Sequence, residues 1–233
     1  MIDLAGIKEL TVGGVKLREL SVNGAKIWQA GRLPAGYTEV EWIESTGTQY
    51  IDTGVKASDY PGGITYDITC AITSHTANAY LLGALANSTR SGNVTIAIEG
   101  RISIACGGNN NTLYVMPFTD GEILIIRLEN VTATDPTAMT CYTSNVEWNL
   151  ANSGVSSAMP NANIYFLKCN GSNRVGASCK TYSFVMTNVA NGNTIKELIP
   201  CTNPSGIVGM YDMVGGTFHV NAGTGAFTAG PAV

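Results

Sequence analysis

The run Ile64-Thr65-Tyr66-Asp67-Ile68-Thr69-Cys70-Ala71-Ile72 puts Ile64, Tyr66, Ile68, Cys70 and Ile72 on one face and Thr65, Asp67, Thr69 and Ala71 on the other. A period of two held this long fits an extended strand with one face in a core; a helix would scatter the same apolar residues around its girth. Similar alternation recurs at 94–98 and 102–106, separated by a turn at Gly100. Further strands are read at 39–43, 48–52, 164–169, 180–187 and 193–199. Segment 122–131 is apolar on both faces through Ile126, which predicts a central strand covered on both sides. About a dozen strands with turn signals between them predict an all-β fold, a two-sheet antiparallel jelly-roll sandwich. No long amphipathic helix emerges, and 133–161, rich in Thr, Asn, Ser and Ala, is expected to hold the longest loops.

Composition narrows the partners. Charged residues are 13% of the 233, which suits short strands and tight turns better than long solvent-facing helices. A net charge of −4 offers no basic footprint, so neither nucleic acid nor an anionic membrane surface is expected as a partner. No apolar run approaches the roughly 20 residues that span a bilayer, and the first residues show no signal-peptide pattern. The chain is therefore expected to fold in the cytoplasm and to leave, if it does, by lysis or by a signal-independent route. The six cysteines, at 70, 106, 141, 169, 179 and 201, form neither a C-x-x-C pair nor a metal-like cluster with His75 and His219. Cys70 and Cys106 fall in step with apolar neighbours and read as reduced core thiols. No cofactor and no metal is expected.

The N-terminus carries a repeat. Lys8-Glu9-Leu10-Thr11-Val12-Gly13-Gly14-Val15-Lys16-Leu17 is followed by Arg18-Glu19-Leu20-Ser21-Val22-Asn23-Gly24-Ala25-Lys26-Ile27, matching in character position by position. Gly13-Gly14 and Asn23-Gly24 suit two-residue hairpin loops. Residues 7–28 thus predict a three-stranded β meander, too small to be stable alone, which must dock on its own main domain or on another protein. Segment 29–36 loses the alternation and carries Gly, Pro and Gly, dividing a docking segment, 1–30, from a sandwich domain, 31–233. Segments 33–55 and 197–227, at either end of that domain, are expected to meet and close one sheet.

The chemistry is sparse. Glu39, Glu41 and Glu44 lie close in sequence, and paired acids are what a glycosidase needs, but their spacing fits solvent-facing strand acids better. His75 belongs to a polar turn and His219 to an alternating surface strand; neither sits in a nucleophile motif. Asp120-Gly121-Glu122 and Tyr211-Asp212 lack the series of acids that would make them calcium ligands, and Asp-Gly is an ordinary turn. Asn109, Asn110 and Asn111 could hydrogen-bond sugar hydroxyls, and Trp148 could stack on a pyranose face; against this, an Asn-rich turn is also what a hairpin needs. These four are the candidate ligand residues, and no catalytic residue is assigned.

Both ends of the main domain carry a resemblance. Leu33-Pro34-Ala35-Gly36-Tyr37-Thr38 and Glu41-Trp42-Ile43-Glu44-Ser45-Thr46-Gly47-Thr48-Gln49-Tyr50-Ile51-Asp52-Thr53-Gly54 resemble the opening of a concanavalin A-like (laminin G-like) sandwich module of bacteriophage and prophage tail and virion structural proteins. Ile199-Pro200-Cys201, Ser205-Gly206, Gly209, Tyr211-Asp212, Phe218, Asn221-Ala222-Gly223-Thr224-Gly225 and Phe227 resemble the same module's end, with His219 where Tyr is frequent. The N-terminal repeat is similar to small β segments at the front of phage structural proteins. The resemblance implies a non-enzymatic virion protein of tail, baseplate, fibre or capsid decoration. The meander would contact other virion proteins, the sandwich would bind host-surface glycans, and self-association is expected. The alternatives are a glycan-active hydrolase on the same sandwich and a purely architectural protein. No catalytic or ligand residue is carried over.

Overall fold

The computed structural model describes residues 10–12, 15–17, 19–22, 25–29, 32–74, 79–85, 93–98, 101–107, 112–131, 139–143, 146–150, 161–170 and 175–233, with side chains at 32–74, 79–85, 118–128, 161–170 and 175–233. The chain divides into two units, Met1–Tyr37 and Thr38–Val233. Among the described residues it is all-β with antiparallel strand pairing, and its one helical element is a single 3-10 turn, Ala57–Asp59.

In the first unit, β1 (Leu10–Val12) pairs with β2 (Val15–Leu17), and β3 (Glu19–Val22) with β4 (Ala25–Gln29). The registers Val12↔Val15 and Val22↔Ala25 leave the two-residue steps Gly13-Gly14 and Asn23-Gly24 between partners, as the repeat requires. The expected three-stranded meander is corrected: among the described residues these are two separate two-stranded ribbons. Between β2 and β3 stands Arg18 alone, with no Gly or Asn pair to reverse the chain.

The second unit contains β5 (Thr38–Glu39), β6 (Ile43–Thr46), β7 (Ile51–Lys56), β8 (Ile64–Ser74), β9 (Ala79–Ala84), β10 (Asn93–Ile98), β11 (Arg101–Gly107), β12 (Thr112–Pro117) and β13 (Ile123–Val131). It continues with β14 (Met139–Thr143), β15 (Val146–Leu150), β16 (Asn163–Phe166), β17 (Ser178–Asn188), β18 (Thr194–Thr202), β19 (Val208–Asp212), β20 (Thr217–His219) and β21 (Thr228–Ala229). One sheet runs β12-β11-β10-β9-β16-β7. The other runs β15-β14-β13-β8-β17-β18-β19-β20, with β6 pairing both β17 and β21, and β5 pairing β18. The two sheets share one hydrophobic core, an arrangement consistent with a β-sandwich. Phe166 of the first sheet stacks on Phe184 of the second with centroids 4.3 Å apart and planes 8° from parallel.

The alternation of β8 is realised: Ile64, Tyr66, Ile68, Cys70 and Ile72 are all buried in that core. Two expectations change. In β13, Leu124, Ile126 and Leu128 are fully buried, but Ile123 and Ile125 are 47% and 48% exposed, so the strand is covered on one face only. Its outer face also carries Arg127, 3.5 Å from Asp67 of the neighbouring β8. Within 133–161, expected to hold the longest loops, lie the strands β14 and β15, paired through the register Thr143↔Val146.

The two ends of the domain meet as expected. β5 pairs with β18, β6 with β21, and Val40 bridges Ala232. The Glu41 and Val233 amides donate to the Pro231 and Glu39 carbonyls.

Candidate functional site

The site grows out of the turn between β6 and β7. Gln49, 5% exposed, accepts at Oε1 from the Thr46 amide (2.9 Å) and the Ser45 hydroxyl (3.2 Å), and its Nε2 donates to the Ala226 carbonyl (3.2 Å). The loop 221–225 locks onto the same turn. Asn221 Oδ1 accepts from the Tyr50 and Gly223 amides at 3.0 and 2.7 Å, and its Nδ2 donates to the Gly225 carbonyl. The Ala222 and Thr224 amides donate to the Tyr50 and Thr48 carbonyls. A Cβ on Gly223 would run into the Thr48 carbonyl oxygen, which is why this position is glycine.

Beside this clamp opens a cleft of about 390 Å³ lined by Gly47, Thr48, Tyr50, Lys168, Val175 and 222–224. Tyr50 is the aromatic residue of that lining, and it stacks on Tyr165 of β16, centroids 4.6 Å apart at 26°. Burial first, then electrostatic interaction with Tyr50 and Asp52, raises the Tyr165 phenol above its ordinary value. Asp52 is held by Asn163 Nδ2 at 3.0 and 3.2 Å and by the Gly54 amide at 2.9 Å.

Lys168 reaches the cleft because the backbone turns sharply just before it. Leu167 has φ +71°, the one non-glycine residue in the left-handed region among the described residues. Such a conformation costs about 1–3 kcal/mol and persists only where the surroundings enforce it. Here the Leu167 side chain is fully buried, its amide donates to the Leu81 carbonyl (2.7 Å), and its carbonyl accepts from the Ala177 amide (3.2 Å). Gly176 is required opposite, since a Cβ there would strike the Leu167 carbonyl. The Lys168 ammonium then lies 5.1 Å from the Tyr50 ring centroid, a cation–π contact, and among the described residues no carboxylate is paired with it.

None of the described residues singled out from sequence for their chemistry lines this cleft. Asn109, Asn110 and Asn111 lie outside the described residues; Trp148 is on β15, in register with Cys141, and its side chain also lies outside them, as does His75. Glu39, Glu41 and Glu44 lie on or beside β5 and β6, Glu41 exposed and the other two half-buried, with Glu44 in register with Lys180. Asp120 and Glu122 flank a turn in which Glu122 Oε2 accepts from the Thr119 amide. Asp212 is a structural ion: fully buried, it binds the Lys196 ammonium at 2.6 Å and the Val214 amide at 3.0 Å. Burial would raise its carboxyl pKa, but Lys196 and the Gly215 and Val214 amides outweigh it and hold the group below the ordinary range. His219 is half-buried rather than on an open surface; burial first, and the Lys196 charge second, lower its pKa. Burial pushes the thiols of Cys179 and Cys201 up to about 12.

Tyr165 and Lys168 were missed from sequence. The signal lies in Tyr165-Phe166-Leu167-Lys168, where the alternation of β16 breaks, but nothing in it announces a left-handed leucine. Among the described residues no helix is long and apolar enough to cross a membrane, and no cluster of His, Cys, Asp and Glu could hold a metal. No family model matches the chain, and no match emerges among curated proteins or solved structures.

Proposed function

We propose that the chain is a non-enzymatic structural protein of a bacteriophage virion, in tail, baseplate, fibre or capsid decoration. Its second unit, read as a concanavalin A-like jelly roll, displays a carbohydrate- or host-surface-binding face, while its N-terminal ribbons dock it to other virion proteins. Assembly then takes place in the host cytoplasm, and self-association belongs to the same reading. One observation carries it: the residues that resemble the phage module at the two ends of the domain, Ser45 to Tyr50 and Asn221 to Gly225, are those that interlock through Gln49 and Asn221. The resemblance therefore falls on residues with a shared structural task rather than on scattered turns. The stacked tyrosines beside that interlock support a glycan face, since aromatic walls with nearby polar groups suit sugar rings.

The test is to purify particles from an induced lysate, identify their proteins by mass spectrometry, and probe the isolated chain on a glycan array. The chain should be found in the particles, and deletion of residues 1–30 should abolish its incorporation. Particles lacking the full-length chain would sink the virion reading. Release of reducing sugar from host polysaccharide, abolished by Glu41→Gln, would favour the hydrolase instead.

A further inference from the structure

We infer that the Lys168 cleft is a binding site for an anionic sugar, one bearing a carboxylate or a phosphate, with the Lys168 ammonium as the group that pairs with the anion. This rests on the glycan-display reading and names its ligand class and its place.

Three independent features converge. First, among the described residues the Lys168 ammonium meets no carboxylate; its recorded contact is the face of Tyr50, which orients a cation without discharging it. An ammonium kept unneutralised beside a cleft in a chain of net charge −4 is placed for an anion arriving from outside. Second, the backbone is strained at the residue that aims it. Leu167 at φ +71° is locked by its own burial, by Leu81 and Ala177, and by a glycine at 176. Strain of this kind gathers at ligand sites, where the fold fixes a geometry that local preference would not choose. A strand continuing past Phe166 without it would send residue 168 along the sheet instead of to Tyr50. Third, the cleft matches a sugar in size and lining. Its volume lies within the range of about 300–1,000 Å³ usual for small-molecule sites. Thr224 brings an exposed hydroxyl, Thr48 a hydroxyl that donates to the Thr224 carbonyl and can still accept, Tyr50 the rim of a ring whose faces are taken by Tyr165 and Lys168, and Val175, 46% exposed, an apolar edge. Hydroxyls and backbone groups answer sugar hydroxyls, apolar surface answers the C–H face of the ring, and the ammonium answers the acid. A neutral sugar would use the first two and leave the ammonium without a partner.

The experiment is isothermal titration of the full chain with trigalacturonate, mannose 6-phosphate and maltotriose, using the wild type, Lys168→Gln and Lys168→Arg. Each variant is first checked by thermal melting for an unchanged fold. At least one acidic sugar should bind ten-fold or more tighter than maltotriose, and its affinity should fall as salt is raised. Lys168→Gln should lower that affinity ten-fold or more, and Lys168→Arg should restore most of it. Acidic and neutral sugars binding alike, neither acidic sugar binding, or Lys168→Gln leaving the acidic sugar's affinity unchanged would each overturn the inference. The broader reading is judged separately, since a glycan array positive for other sugars would preserve it after any of these three results. An array without binding would end the carbohydrate part of both.

Discussion

Asp212 and Lys196 show how a residue's meaning depends on what surrounds it. In the sequence, Tyr211-Asp212 is an acid beside a turn; in the fold, the carboxylate is fully buried and the Lys196 side chain is 17% exposed. Removing the cation alone strands a charge in the interior, a change that costs about 3–5 kcal/mol when no other partner remains. The Val214 and Gly215 amides stay in place, so Lys196→Met is expected to cost about 3 kcal/mol, the lower end of that range, measured by urea unfolding at pH 7. The sign of the pH dependence follows from the lowered pKa of Asp212. The folded state holds that proton less tightly than the unfolded chain does. The pair's stabilisation is therefore complete above the ordinary carboxyl value of about 3.9 and is lost as pH falls through the lowered one. In Lys196→Met the deficit should narrow as pH falls, because burial without the cation favours protonation of Asp212 and protonation removes the stranded charge. An equal deficit at pH 7 and pH 3.5 would show that the loss is packing and not electrostatics.

At the scale of elements, the alternation of β8 was legible because one face of that strand lies wholly in the core, while on the other Asp67 and Thr69 are half-buried and only Thr65 and Ala71 are buried. For β13 the same reasoning went too far: Ile123 and Ile125 extend the apolar pattern to both faces, yet they stand on the outer one. Apolar residues are common at protein surfaces, so a two-faced run does not by itself prove two-faced burial. Within 133–161, expected to hold the longest loops, the Thr and Asn content hides the pairing of Met139-Thr140-Cys141-Tyr142-Thr143 with Val146-Glu147-Trp148-Asn149-Leu150 across the Ser144-Asn145 step. That segments 33–55 and 197–227 meet was legible, but not which side chains lock the β6–β7 turn to the loop 221–225. The partners in that clamp lie 171 to 177 residues apart, and no local signal reports such a distance. Its energetics are testable at Asn221. Asn221→Ala removes one acceptor that serves two amides and one donor, and should cost about 2 kcal/mol by denaturant unfolding. Asn221→Asp keeps the acceptor and should cost less. Equal losses would place the energy in the Nδ2 donor and not in the Tyr50 amide contact.

Over the whole molecule, stability is distributed unevenly between the ends of the chain. The second unit contains the core that both sheets share, and its last residues are structural members of that core's cover: β21 pairs with β6, the Gly230 amide donates to the Trp42 carbonyl, and Phe227 is buried. Gly230 must be glycine, since a Cβ there would meet the Trp42 indole at 2.7–2.8 Å. Among the described residues the first unit holds two two-stranded ribbons, and isolated ribbons of that size are marginal by themselves. Truncations at the two ends should therefore behave oppositely. A chain lacking residues 1–37 should keep the far-ultraviolet spectrum of its sheets and unfold cooperatively at close to the denaturant midpoint of the full chain. A chain lacking 221–233 loses the Asn221 contacts, the β21 partner of β6 and the Phe227 side chain at once, and exposes apolar surface that water penalises at about 25 cal/mol per Å². It should unfold at a markedly lower midpoint or fail to fold. If the N-terminal truncation proved as damaging as the C-terminal one, the ribbons would be part of the domain's own stability, and their role as a separate docking segment would lose its structural basis.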